Sequence, residues 1–222
     1  MSPTDTGVLD TLGMFDAAFG LPDQMAAAVE LASSVDGLPD ASAVTSILVL
    51  GMGGSGISGD IMALVASEHG RVPVEVSRHY ELPAHVGPHT LVMAVSFSGD
   101  TEETVVAAEA AVAAGAPVVA VTTGGALGDL VSAAGGGVCG LPKGIPLPRA
   151  ALGAVGLTPV VLATRLGLLN DTAAAVDAAI EAVAGRLGAN AGASGDTDNE
   201  ARPRARNNPS TQPTLSGGAR TA

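Results

Sequence analysis

The sequence predicts an α/β fold, a three-layer αβα sandwich around a mainly parallel five-stranded sheet. The first observation is that short apolar segments alternate along the 222 residues with longer segments of helix-forming residues, which is typical of βαβ units. The second is that 47% of the residues are hydrophobic but only 2% are aromatic, so the core is built from small aliphatic side chains. The third is that glycine- and serine-rich turns directly follow two of the apolar segments.

Five strands and the helices between them define a predicted sheet domain, residues 41–188. The strands are predicted near 47–51, 73–76, 90–96, 117–122 and 137–141. The helices that alternate with them are predicted near 56–68, 102–114 and 126–134. Helices cover both faces of such a sheet, and ligands collect at the carboxyl ends of its strands.

The two ends of the chain depart from this alternation. Residues 1–40 are predicted to hold two short helices, at 8–19 and 22–36, whose apolar stripe indicates packing against the sheet domain. Residues 189–222 contain Leu215 as their only large aliphatic side chain. A segment so poor in apolar side chains cannot offset its ordering entropy, so it is predicted to be a disordered, low-complexity tail.

The first glycine-rich turn, called the first turn below, is Gly-Met-Gly-Gly-Ser-Gly at residues 51–56. It follows the apolar segment Ile47–Leu50 and precedes a helix-forming segment. A strand, a glycine turn and a helix in this order point backbone N–H groups and the positive end of a helix dipole at one small anion. Glycine lets the ligand approach the backbone closely.

The second turn is Ser-Phe-Ser-Gly-Asp-Thr at residues 96–101, between the strand Thr90–Val95 and another predicted helix. It places the hydroxyls of Ser96, Ser98 and Thr101 at a helix N-terminus, where we expect them to face a ligand rather than the core. Because parallel strands end at one edge of a sheet, both turns are predicted to bind one polyhydroxylated, phosphorylated ligand.

A dinucleotide-binding Rossmann domain is an alternative interpretation of the first turn alone. Gly51, Gly53 and Gly56 satisfy the pattern G-x-G-x-x-G, and Glu75 lies about 20 residues further on, as such a site requires. A dinucleotide fold, however, has no need of the second turn.

Three ordered motifs resemble a sugar isomerase (SIS) domain, in particular that of the bifunctional phosphoglucose/phosphomannose isomerases. They are the first turn, the segment Ser-Phe-Ser-Gly-Asp-Thr-Glu-Glu-Thr at 96–104, and Gly-Ile-Pro-Leu-Pro-Arg-Ala-Ala-Leu-Gly at 144–153. The resemblance covers about residues 12–187 and implies a hexose 6-phosphate ligand. It implies the binding positions Gly53, Gly54, Ser55, Ser96, Ser98, Thr101 and Arg149, the last facing the sugar.

In that family, glucose 6-phosphate and mannose 6-phosphate are interconverted with fructose 6-phosphate through an enediol. The glutamate base, the ring-opening histidine and a late lysine come from the second SIS domain of the family's chain, and nothing after Leu187 matches that half. The resemblance therefore implies binding without catalysis, and no catalytic residue is assigned. A truncated product or a reading-frame change near residue 190 would account for this, and self-association through the uncovered surface is expected. A non-catalytic sensing or pairing module is a further alternative.

Several other functions are not expected. The net charge of −12 disfavours nucleic acid and anionic membranes, which would repel the protein. No metal or other cofactor is predicted, because His69, His79, His85 and His89 lack a ligand-like spacing. The N-terminus shows no secretory signal, so the cytoplasm is expected.

Two apolar features are assigned to the core. Residues 150–169 are nearly all apolar but contain Pro159 and Arg165, so they are predicted to form a buried helix rather than a membrane span. Cys139 is predicted to be a small core residue rather than a nucleophile, since no histidine is near it in the sequence.

Overall fold

A computed structural model of the chain describes residues 12–192. The chain divides after Val183 into two compact units. The first unit contains the sheet and the helices packed on it. The second is described only for residues 184–192, which are helical.

The sheet has five parallel strands in the order β2-β1-β3-β4-β5. The strands are β1 (Ser46–Gly51), β2 (Val74–Ser77), β3 (Thr90–Ser96), β4 (Val118–Thr122) and β5 (Val138–Cys139). Every residue of β3 is buried, as expected for a central strand with helices on both faces. The predicted parallel sheet is confirmed.

Seven helices accompany the sheet in the described part of the chain. They are α1 (Met14–Phe19), α2 (Leu21–Ser34), α3 (Gly53–His69), α4 (Glu102–Ala113), α5 (Gly125–Ala133), α6 (Leu152–Arg165) and α7 (Ala173–Gly192). Side chains of α2, α3 and α6 pack with one face of the sheet. Those of α4 and α5 pack with the other face, which confirms the three-layer αβα sandwich.

Small residues set the packing of both helical layers. Ala107, Ala108 and Ala111 are fully buried on α4, so this helix lies close to the sheet. On the opposite face, a Cβ at Gly153 of α6 would lie 2.7 Å from Cγ of Met25 in α2. The low aromatic content of the sequence is thus reflected in closely packed layers.

The long apolar segment after residue 150 forms α6, which is buried as predicted. Its Pro159 lies inside the helix. Arg165 at its end donates from Nη1 to the carbonyl oxygens of Ala32 (2.7 Å) and Val35 (3.0 Å), at the C-terminus of α2. Within residues 12–192, no helix combines the length and apolarity that crossing a membrane would require.

The structure differs from the sequence predictions at several boundaries. Helix α3 begins at Gly53 instead of near 56, so most of the first turn, residues 53–56, belongs to the start of this helix. Helix α7 was not predicted, and it runs to Gly192, into the segment assigned to the tail. Alanines at 189 and 191 are strong helix formers that continue it. The rest of the predicted tail, 193–222, and the start of the first predicted helix lie outside the described residues.

Candidate ligand-binding site

Loops that follow three neighbouring strands meet at the carboxyl edge of the sheet. The first turn joins β1 to α3 and the second turn joins β3 to α4. A third turn, Thr-Thr-Gly-Gly at residues 122–125, joins β4 to α5. The strands β1, β3 and β4 are adjacent in the sheet, so the three turns lie side by side.

The first turn presents an open helix N-terminus. Gly53 has a φ of 51°, in the left-handed region that favours glycine, and nothing lies within 4 Å of the position its Cβ would occupy. Met52, at the N-cap, makes no side-chain hydrogen bond to the helix. The N–H groups of the first helical residues have no partner within a helix, so this turn offers an approach for an anion.

Ser55 connects the first turn to the second. Its side chain is only 8% exposed, and its Oγ accepts a hydrogen bond from Phe97 N at 3.3 Å. Its carbonyl oxygen accepts a bond from Ser58 Oγ at 2.6 Å. Ser55 therefore fixes the distance between the two turns that were predicted to share a ligand.

The second turn is shaped by its own hydroxyls. Ser96 Oγ accepts from Gly99 N at 3.1 Å and lies 2.9 Å from Thr101 Oγ1. Ser96 is fully buried, so the expectation that its hydroxyl faces outward rather than the interior does not hold. The two hydroxyls hold two hydrogens and need only one for their mutual bond. With Ser96 as donor, the O–H of half-buried Thr101 is left for a ligand.

Ser98 has the opposite environment. It is exposed, and its Oγ accepts from Asp100 N at 3.2 Å, so its hydrogen remains available for donation. Glu102 and Glu103 follow in the first turn of α4, where their charges favour the helix dipole. The second turn therefore offers an anion the hydroxyl hydrogens of Ser98 and Thr101.

The third turn, which sequence reasoning missed, is bound to the second. Phe97 O accepts from Thr123 N at 3.1 Å and from Thr123 Oγ1 at 2.7 Å. Asp100 Oδ1 accepts from Ala126 N at 2.9 Å at the start of α5. The signal that could have revealed this turn is its two threonines and two glycines directly after a strand.

Arg149 reaches the site from a distant part of the sequence. It lies in a one-turn 3₁₀ helix, Pro148–Ala150, before α6. A Cβ at Gly54 would lie 3.7 Å from Pro148 O and 3.8 Å from Arg149 Cα. The residues of all three predicted motifs therefore come together, with the backbone at Pro148 and Arg149 beside the first turn and Arg149 itself exposed.

Tyr80, which the sequence analysis also missed, marks the charge around the second turn. Partial burial and then the negative charges of Glu102 and Glu103 raise the pKa of its hydroxyl above the ordinary value. The ordinary pKa of a tyrosine is already about 10, so the phenol stays protonated at neutral pH, and its side chain is exposed.

The other candidate residues lie away from the three turns. Glu75 is inside β2, opposite Leu48 of β1, and its carboxylate lies 3.1 Å from His85 Nε2. It is therefore not at the carboxyl end of its strand, where a dinucleotide site places the acid that binds the ribose. Cys139 is a buried core residue, as predicted, and burial raises the pKa of its thiol to about 11. Among residues 12–192, no three His, Cys, Asp or Glu side chains are grouped closely enough for a metal ion.

Comparison with known proteins identifies a SIS domain within this sheet domain. The family model of the SIS domain matches residues 42–129. A bifunctional phosphoglucose/phosphomannose isomerase of Caldicellulosiruptor bescii is 38% identical over 157 residues, 71% of this chain and 46% of that protein. A D-glucosamine-6-phosphate 4-epimerase of Sulfolobus acidocaldarius is 32% identical over 108 residues, 48% of this chain and 34% of the epimerase. The chain spans less than half the length of these two relatives.

A solved structure supports the fold independently. The C-terminal domain of glucosamine-fructose-6-phosphate aminotransferase from Francisella tularensis superimposes with a TM-score of 0.59 at 15% sequence identity. The superposition covers 81% of this chain and 55% of that chain. The recognition of a SIS domain and the SIS-like α/β fold are both confirmed.

Proposed function

We propose, on the premise that residues 42–129 form a SIS domain, that this chain binds a hexose 6-phosphate across the first and second turns. The observation that carries the proposal is the hydrogen bond from Phe97 N to Ser55 Oγ, 3.3 Å long. It joins two turns that each end in a helix N-terminus. A hexose 6-phosphate has a phosphate at one end and sugar hydroxyls along the rest, so it needs two such polar surfaces at a fixed separation.

The phosphate binds at the second turn. Ser98 and Thr101 donate hydroxyl hydrogen bonds to it, and Ser96 holds Thr101 and the Gly99 amide in place. Hydrogen bonds from hydroxyls and amides can hold a phosphate without a basic surface. This suits a chain whose net charge is −12.

The sugar lies against the first turn and Arg149. Gly53 and Gly54 have no side chains, which leaves room for the sugar hydroxyls near the amides of the first turn. Arg149 is exposed, and a guanidinium there donates to the oxygens at the reacting end of the sugar. In an isomerisation it stabilises the negative charge of the enediolate.

The names of the relatives support the proposed class of ligand. Their names specify isomerisation of phosphoglucose and phosphomannose and epimerisation of glucosamine 6-phosphate, which are all phosphorylated hexoses or hexose derivatives. The chain spans less than half of these relatives, and no residue of it is assigned as the base. Because no base is assigned, we propose binding without turnover by this chain alone. We also propose that the chain acts in the cytoplasm and self-associates through exposed apolar surface.

Calorimetric titration with fructose 6-phosphate, and separately with NAD(H), tests the proposal. Heat of binding is expected with the sugar phosphate, and Arg149→Ala is expected to weaken binding by about tenfold or more, for the loss of a charged hydrogen-bonding group. A coupled dehydrogenase assay should detect no interconversion with glucose 6-phosphate or mannose 6-phosphate. Heat with the nucleotide alone would favour the Rossmann alternative, and turnover lost in Arg149→Ala would reveal an unassigned base.

A further inference from the structure

Helix α3 begins with residues that are poor helix formers. Its first four residues are Gly-Gly-Ser-Gly, and Gly59 follows one turn later. Glycine is the poorest helix former after proline, and Met52 supplies no side-chain cap. The start of this helix must therefore be held by contacts from other parts of the fold.

Arg78 makes two such contacts. It follows Ser77, the last residue of β2, which pairs with Leu50 near the end of β1. Its Nη2 donates to the carbonyl oxygen of Gly56 at 3.0 Å and to Asp60 Oδ2 at 2.6 Å. Gly56 and Asp60 are four residues apart and lie on one side of α3, so one guanidinium group holds the first two helical turns.

The glycine at position 56 is explained by the same contact. A Cβ there would lie 2.9 Å from Arg78 Nε and 2.9 Å from Gly51 O. Gly56 is thus required for packing of the guanidinium and of β1 on the start of α3. Its place in the pattern G-x-G-x-x-G needs no dinucleotide to account for it.

The ion pair itself contributes little to the stability of the whole fold. The side chains of Arg78 and Asp60 are 41% and 59% exposed, and an exposed pair of this kind is screened by solvent. What the contact determines is local. It holds the peptide between Gly56 and Ile57, in the start of α3 at the end of the first turn.

We propose that Arg78 is a positioning residue that keeps the first turn in the conformation that binds the sugar phosphate. The inference rests on the proposed function, since it concerns the same site. Arg78 acts through the backbone of α3, with no contact to the ligand required. A turn held in its binding conformation before the ligand arrives loses less conformational freedom on binding.

The test compares Arg78→Met with Arg71→Met. Arg71 lies before β2, at the amino ends of the strands and away from the three turns. It donates from Nε to Asn170 Oδ1 at 2.9 Å. Both variants remove one positive charge and one guanidinium, but only Arg78→Met removes a contact to the start of α3. Amide hydrogen exchange is measured in the absence of ligand, and fructose 6-phosphate affinity by calorimetry.

In Arg78→Met, amide exchange at Gly56, Ile57 and Ser58 should accelerate about tenfold, because the variant loses a hydrogen bond that stabilises the closed form of this helical turn. Amides of buried β3 should be unchanged. The dissociation constant for fructose 6-phosphate should rise by a similar factor of about ten. Arg71→Met should leave both quantities at their wild-type values.

Three results would overturn the inference. They are equal effects of the two variants, acceleration of the β3 amides to the same degree, and faster exchange at the first turn with unchanged affinity. A wild-type protein that binds no fructose 6-phosphate would instead defeat the proposed function. Exchange at the start of α3 would then decide by itself whether Arg78 holds that turn.

Discussion

The first and second turns occupy equivalent places after neighbouring strands, yet different interactions fix their shapes. In the first turn, Gly53 and Gly54 have open space or only loose backbone contacts around them. Its anchors come from other elements, through Phe97 N to Ser55 Oγ and Arg78 Nη2 to Gly56 O. The second turn instead bonds to itself through Ser96, and to the third turn through Phe97 O and Asp100.

The two turns therefore differ in how firmly their backbone is held and in how open it is to a ligand. The second turn is held by several hydrogen bonds within a few residues, so it can present hydroxyls in fixed directions. The first turn has few bonds of its own and exposes backbone N–H groups instead. Changes to the buried residues that shape the second turn, such as Ser96 and Gly99, should therefore reduce stability, whereas changes at the open glycines of the first turn should affect binding with a smaller loss of stability.

The largest expected difference between the turns is at their glycines. Gly99 has a φ of 81°, and a Cβ there would overlap the carbonyl oxygen of Gly124 in the third turn. Gly99→Ala should lower the free energy of unfolding by about 3 kcal/mol or more, because backbone atoms cannot move aside cheaply. Urea denaturation measures this loss.

Gly53→Ala provides the matched comparison in the first turn. Its φ of 51° is also left-handed, but nothing lies within 4 Å of the added Cβ. The loss should be limited to about 1–2 kcal/mol, the cost of a left-handed alanine. Equal losses in the two variants would mean that the packing of the second turn on the third contributes nothing.

An intermediate effect is expected from the serines of the second turn. Ser96→Ala leaves the amide of Gly99 buried without its acceptor, which should cost about 1–3 kcal/mol in the free energy of unfolding. Ser98→Ala, at an exposed position, should leave stability unchanged but weaken fructose 6-phosphate binding by about tenfold or more, for the loss of a hydrogen bond to a charged group.

Thermal unfolding and calorimetric titration of the two serine variants separate these roles. If Ser98→Ala destabilised the protein as much as Ser96→Ala, the exposed hydroxyl would also belong to the fold. Unchanged affinity in Ser98→Ala, with the fold intact, would remove Ser98 from the proposed site.

The sequence predicted the sheet and both turns because those features depend on local residue patterns. Alternation of apolar segments determined β1 and β3, and glycine with serine after each strand indicated the turns. Arg149 was found through its motif, since nothing local shows that it lies beside Gly54. Arg78 was missed because its role depends on two acceptors, 18 and 22 residues earlier in the chain.

The start of α3 was misplaced for a related reason. Helix propensity predicts that the helix begins near residue 56, because glycine disfavours a helix. Tertiary contacts override this propensity, and the helix begins three residues earlier, at Gly53. The third turn was missed because nothing in the segment Thr-Thr-Gly-Gly indicates that it hydrogen-bonds to the second turn. Its bonds to Phe97 and Asp100 exist only once β3 and β4 are side by side.

The smallest expected effect concerns the bond between the second and third turns. Asp100 Oδ1 accepts from Ala126 N at 2.9 Å and so acts as an N-terminal cap of α5 from another loop. Asp100→Ala should lower the free energy of unfolding by about 1 kcal/mol, the usual loss of a capping side chain. Asp100→Asn keeps an acceptor oxygen and should stay near the wild-type value. Asp129→Ala removes the same charge from an exposed position on α5 and should also change little. Thermal unfolding of the three variants would contradict the assignment if Asp100→Ala and Asp129→Ala behaved alike, since the bond from Ala126 N to Asp100 would then contribute nothing as a cap of α5.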